Sequence, residues 1–240
     1  MAVTGVKASE SICGICKCRI KENTLFTSLS EEELELLKDV VTTSFYRKKE
    51  TVFMEGDECT GLYIVRVGRV KLVRSSREGK EHIVKILSPG DLLGLEVFYD
   101  GRTYGTNAVA MEDTDLCFVK KKDFFNIIEK EASVARKLVI SLGMELHNAY
   151  ERIGNLGLMN AKEKLAHLLW TLAGEYGVKS NRGVSLNLTL SRLEIAELLG
   201  ITQETSIRLL KSFKEEGILE IKRKEIVITS MERLADIGGL

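Results

Sequence analysis

The chain has 240 residues and a mass of 26.8 kDa, enough for one large domain or two ordinary ones. Apolar residues make up 44% and charged residues 29%, a globular composition that excludes collagen-like, low-complexity and disordered chains. Thirty-five basic side chains balance 35 acidic ones, which excludes a strongly basic chromatin-type protein but leaves room for a locally basic DNA-reading element.

Apolar stretches fall far short of 18 residues, and the N-terminus lacks the apolar core of a signal peptide. The expectation is a soluble, cytoplasmic protein with no membrane partner. A lone proline, Pro89, points to tightly specified helices and strands.

The first two dozen residues show no sustained periodicity and carry Cys13, Cys16 and Cys18; Cys59 and Cys117 are solitary. A cytoplasmic chain keeps thiols reduced, so this clustering suggests metal or redox chemistry rather than structural disulfides. Ser30 and Glu33 then form a capping box for a helix whose apolar face is Leu34, Leu36, Leu37 and Val40.

From about Phe45 to Val119 the pattern predicts short strands broken by turns, as in a sandwich or barrel. Thr51–Met54 leads to Glu55-Gly56-Asp57. Leu62–Val67 meets Gly68, and Val70–Val73 is expected to be its hairpin partner. Ile83–Leu87 runs into Pro89-Gly90-Asp91, and Asn107–Ala110 and Leu116–Val119 close the series.

A helix is predicted from about Lys122, and a longer one from about Ser133 to Leu156. In the longer helix Leu138, Leu142, Leu146, Ala149, Ile153 and Leu156 step by four and three, a stripe suited to a short two-stranded coiled coil. Packing of the helix on its own sheet is the competing reading. Asn160 with Glu163 opens a further helix that carries Leu165, Leu168, Leu169, Trp170 and Leu172 to Gly174, followed by a polar loop at Ser180–Gly183.

The run from Arg192 to Leu210 has helix-turn-helix spacing. Ala196 is the small residue at a close helix crossing, Gly200 ends the first helix, Thr202 caps the second and Gly217 stops it. Gln203, Glu204, Ile207 and Arg208 are the residues such a helix presents to the major groove, with Lys211 and Lys214 further along at the phosphates. Beyond them Ile218–Ile221 and Ile226–Ile228 flank Lys222-Arg223-Lys224, a hairpin with a basic tip that reads as a backbone-touching wing or as a solvated turn.

These motifs together, Glu55-Gly56-Asp57, Pro89-Gly90-Asp91-Leu92, the long helix, Gln203-Glu204-Thr205 and Arg208-Leu-Leu-Lys, make the chain resemble the CRP/FNR family of bacterial transcription regulators from about Leu25 onward. The resemblance implies an α+β fold in four parts: a cysteine-containing arm over 1–24, a cyclic-nucleotide-binding-like, effector-sensing β-roll over 25–130, a dimerisation helix over 131–158 and a winged helix-turn-helix over 159–240. It further implies a homodimer on palindromic double-stranded DNA, with Glu204 and Arg208 reading bases, and contact with RNA polymerase for activation. Nothing in the sequence suggests an enzyme: no nucleophile triad, phosphate-cradling loop or His-rich metal motif is present. One departure concerns the order Ser206 then Ile207, which puts the aliphatic residue toward the groove, where it could lie against a thymine methyl, and the serine inward.

Cyclic-nucleotide members of the family carry a carboxylate after the glycine of the phosphate-binding segment and an Arg-Ser pair. Here Gly94 is followed by Leu95, the pair reads Tyr104-Gly105, and Arg102 is out of register, so cyclic AMP is not the expected effector. The oxygen-sensing FNR-like branch instead holds a [4Fe-4S] cluster on three N-terminal cysteines and one from the β-roll. The resemblance assigns these roles to Cys13, Cys16, Cys18 and Cys117, with oxygen or nitric oxide as the signal. The spacing Cys-x2-Cys-x-Cys is tighter than the family pattern. Cys59 is a spare thiol or substitute ligand, zinc on the same thiols competes, and haem on His82, His147 or His167 is the weaker alternative.

Overall fold

The computed structural model describes residues 30, 32–33, 39–99, 103–222 and 225–240. It falls into two compact units that divide between Leu146 and His147.

The first unit is built from two four-stranded antiparallel sheets. One has the order β1-β8-β3-β6, with β1 at Val41–Tyr46, β3 at Gly61–Val67, β6 at Leu92–Leu93 and β8 at Thr114–Lys120. The other has the order β2-β7-β4-β5, with β2 at Thr51–Phe53, β4 at Val70–Ser75, β5 at Glu81–Leu87 and β7 at Asn107–Ala110. Leu62, Leu87, Ala108 and Leu116, drawn from both sheets, are wholly buried in one apolar cluster. Removing such side chains from water is the main source of the unit's stability.

The hairpin expected between Leu62–Val67 and Val70–Val73 does not form. β3 pairs with β8 and β6, whereas β4 pairs with β5 and β7, so the chain changes sheets at Gly68. Gly68 has φ +83, and a Cβ there would stand 2.4 Å from Thr114 Oγ1 and 2.6 Å from the Asp113 carbonyl oxygen. The turn is thus pressed against the β7–β8 connection, which only glycine permits.

Helix α1 spans Lys121–Lys130 and α2 spans Ala132–Leu158. Phe124 and Ile127 of α1, and Val134 and Leu138 of α2, join the apolar cluster of the first unit. Leu138 therefore belongs to its own domain's core, and the exposed stripe on α2 begins one residue later than the sequence suggested. Val139, Leu146 and Ile153, seven residues apart, are 68%, 53% and 66% exposed. At the head of the fold, the Ser30 hydroxyl accepts from the Glu33 amide and Glu33 accepts from the Ser30 amide, so the expected capping box is present. Leu34, Leu36 and Leu37 lie outside the described residues.

In the second unit α3 runs Ala161–Tyr176 from a capping box of Asn160 and Glu163. It continues two residues past Gly174, and the loop at Ser180–Gly183 is the turn of a hairpin, β9 at Gly177–Ser180 and β10 at Gly183–Leu186. Helix α4 is Arg192–Leu199 and α5 is Gln203–Glu215. Strands β11 (Leu219–Lys222) and β12 (Glu225–Ile228) complete a sheet of order β11-β12-β10-β9, and α6 (Met231–Gly238) packs on α3.

Candidate functional site

The turn between α4 and α5 is set by local chemistry. Ser191 and Glu194 cap the start of α4, and Gly200 closes it in the left-handed region at φ +65. The Thr202 hydroxyl then accepts from the Thr205 amide to open α5. Ile195, Ala196, Leu199, Leu210 and Phe213 are buried around the crossing.

The opposite face of α5 is open. Gln203, Glu204, Ile207, Arg208 and Lys211 are all exposed, Ile207 by 48%. Glu204 and Arg208 form no ion pair among the described residues, while Lys211 has Glu215 one turn on at 3.7 Å. That pair is exposed on both sides, so solvent screens it and its strength is small. Lys214 is exposed beyond it, and Lys222 is exposed at the end of β11. Arg223 and Lys224, at the tip of the β11–β12 hairpin, lie outside the described residues.

A tie absent from the sequence reading holds the far end of α5. Glu216 accepts from the Ser212 hydroxyl at 2.6 Å and from Lys162 Nζ at 2.9 Å, and its backbone carbonyl accepts from Arg233. The Ser212 hydroxyl first, then Lys162, holds the Glu216 carboxyl below its ordinary range. Lys162 also lies 5.7 Å over the Phe213 ring. The contact from α3 spans 54 residues of sequence, so no local pattern announces it.

In the first unit Cys117 is 2% exposed. Strand register sets it directly between Thr43 and Ile64, so its thiol shares their face of the sheet. It belongs to the apolar cluster that contains Val134 and Leu138 at the root of α2. Cys13, Cys16 and Cys18 lie outside the described residues. Among the described residues no three His, Cys, Asp or Glu side chains gather as a metal site, and this includes His82, His147 and His167. His167 is engaged instead with the Asn155 amide at 2.9 Å, and burial lowers its pKa.

Cys59 is buried 3.7 Å from the Gly61 carbonyl oxygen, and burial pushes its thiol pKa up. Tyr104, Tyr63 and Tyr46 lie near it in the same part of the unit, and the Tyr104 hydroxyl shares the Gly61 carbonyl with the Cys59 thiol. Burial raises the Tyr63 phenol to about 12. Tyr104 stacks on Phe53 at 3.7 Å between ring centres and donates to the Gly61 carbonyl at 3.2 Å. Beside it, the Glu96 carboxylate accepts from the Gly105 amide at 2.9 Å. A buried aromatic ring and a half-buried carboxylate thus stand at the Tyr104-Gly105 position, and Arg102, two residues before it, lies outside the described residues.

Residues 43–131 match the model of a cyclic nucleotide-binding domain and residues 163–237 that of a Crp-like helix-turn-helix domain. The regulatory protein HlyX of Actinobacillus pleuropneumoniae is 30% identical over 218 residues, 90% of each chain. The chain belongs to the CRP/FNR family of transcription regulators. The fumarate and nitrate reduction regulatory protein of Escherichia coli K12 is 28% identical over 223 residues, covering 92% of this chain and 89% of the relative. The solved structure of FixK2 from Bradyrhizobium japonicum superposes with a TM-score of 0.73 at 29% identity, over 82% of this chain and 97% of that one. This CRP/FNR chain is accordingly a DNA-binding transcription regulator and not an enzyme, similar over most of its length to FNR-like anaerobic regulators. Among its described residues no helix is long and apolar enough to cross a membrane.

Proposed function

We propose that the chain is a cytoplasmic, homodimeric regulator that binds palindromic DNA and senses oxygen or nitric oxide through a [4Fe-4S] cluster held by Cys13, Cys16, Cys18 and Cys117. The observation that carries the sensing half is Cys117, a buried thiol in the apolar cluster that also receives Val134 and Leu138 of α2. A thiolate there fits an iron–sulfur site, since soft sulfur ligands in an apolar shell suit such clusters. Tyr104-Gly105, with the Glu96 carboxylate bonded to it, supports the same reading, because a cyclic phosphate at that position would need a cation. When bound, the cluster supplies a thiolate-held centre that oxygen or nitric oxide degrades.

The chain's own residues couple that centre to DNA. Cys117, in the core cluster that receives the start of α2, would hold the cysteine-bearing arm through that centre, and Glu33 adds a second anchor through Lys137 at 2.5 Å. With both anchors in place, Val139, Leu146 and Ile153 meet their copies across a two-fold axis. Burying each contributes about 1.5–3 kcal/mol. Two copies of α5 then read a two-fold site through Glu204 and Arg208, with Gln203, Ile207, Lys211 and Arg223 around them. Loss of the thiolate anchor weakens helix pairing, and DNA affinity falls. The four-part division at residues 24, 130 and 158, and activation through RNA polymerase, belong to the same reading.

Affinity for a selected palindrome, measured without oxygen and again after exposure to air, tests the proposal. A fall of at least tenfold together with dissociation to monomers is expected. Equal affinity under both conditions would overturn the sensing half and leave DNA recognition standing.

A further inference from the structure

Ser206 and Ile207 sit in α5 in the reverse of the places that folding alone assigns. Ser206 is wholly buried, and its hydroxyl has no hydrogen-bond partner among the described residues. A buried hydroxyl without a partner destabilises a fold. Ile207, the neighbouring aliphatic residue, is 48% exposed. Exchanging the two would bury the apolar side chain and hydrate the polar one, so the folded unit gains nothing from the observed order.

The benefit has to come from what α5 binds. At 3.6 residues per turn, Glu204, Ile207, Arg208 and Lys211 lie within an arc of about 100° on the exposed face. Buried Ser206, Leu210 and Phe213 lie on the other side of the helix. Ile207 thus stands next to Arg208 and one turn from Glu204, the arginine and carboxylate that can read base edges. It has neither donor nor acceptor to offer. The one apolar group that a base pair shows in the major groove is the thymine 5-methyl.

We infer that Ile207 is a specificity-determining residue that packs against a thymine methyl in each half-site, next to the base pairs read by Glu204 and Arg208. This rests on the reading of α5 as the DNA-reading helix.

The test uses the anaerobically purified full chain and the palindrome it selects from random DNA. Each thymine of the half-site is replaced in turn by deoxyuridine, which removes the methyl alone. One position is expected to lose about fourfold in affinity per half-site, about sixteenfold when both halves are replaced. In Ile207→Ala the deoxyuridine penalty at that position is expected to vanish while a preferred site remains. A penalty of the same size in Ile207→Ala, or no penalty at any position in the parent chain, would overturn the inference and leave DNA reading intact. Failure to select any preferred site would overturn both. Separately, Ser206→Ala is expected to raise Tm by a few degrees without changing the selected site. A lower Tm would show the hydroxyl to be satisfied and remove the argument from inverted burial.

Discussion

Lys137 of α2 donates to the Glu33 carboxylate across 104 residues of sequence, at 2.5 Å, with side chains only 19% and 10% exposed. Glu33 is at once the partner of Ser30 in the helix cap and the partner of Lys137. The Lys137 hydrogen bond first, then those of Ser133 and Ser30, holds its carboxyl at about 2, against an ordinary 4.5.

The pH dependence follows from that shift. A carboxylate whose pKa is lower in the folded state stabilises the fold fully above its ordinary pKa. That contribution disappears as pH falls from about 4.5 toward about 2. Glu33→Gln is expected to lower stability at neutral pH by about 1–3 kcal/mol and to flatten the acid limb of the stability curve over this range. Denaturant melts from pH 7 to pH 2.5 check both effects.

The exposed stripe on α2 gives an assembly prediction. Leu146→Glu and Ile153→Glu should each leave a folded chain, because both side chains are more than half exposed within one copy. Each should raise the dimer dissociation constant at least tenfold, since a charge would have to enter an apolar seam. Sedimentation across a concentration series measures this.

On α5, Arg208→Ala should lose about 1–3 kcal/mol of affinity for the preferred site and almost none for random DNA. Lys211→Ala should weaken both alike and reduce the salt dependence. Titrations on specific and random duplexes at several salt concentrations separate the two behaviours.

Millimolar cyclic AMP should leave the melting temperature unchanged. Tyr104 is 3% exposed and stacked on Phe53, and the Gly105 amide already donates to Glu96. A concentration-dependent rise in Tm would instead show that this packing gives way to the nucleotide.

What was legible in the sequence was what local chemistry decides. The caps at Ser30, Asn160 and Thr202 and the left-handed glycine at 200 all appear where their residue types require. The inward turn of Ser206 and outward turn of Ile207 were implied by the resemblance, as a departure from the family's order on this helix, and both are present. Strand pairing was less legible. β3 and β4 are adjacent in sequence and both apolar, so proximity suggested a hairpin, whereas each finds its partners elsewhere in the chain. Leu138 and Val139 are equally apolar neighbours, and only the packed structure distinguishes the core residue from the exposed one. β9 escaped notice because all four of its residues are exposed and give no alternating pattern. The contacts of Glu33 and Glu216 join distant segments and leave no local trace.

Sensing requires Cys117 to share one cluster with the arm's cysteines. Iron and acid-labile sulfide, determined on the full chain purified without oxygen and on its Cys117→Ser variant, test this most directly. About four iron and four sulfide per chain are expected in the parent, with loss of most of both in the variant while its melting transition persists. Stoichiometric zinc in place of iron, or iron content unchanged by Cys117→Ser, would contradict it.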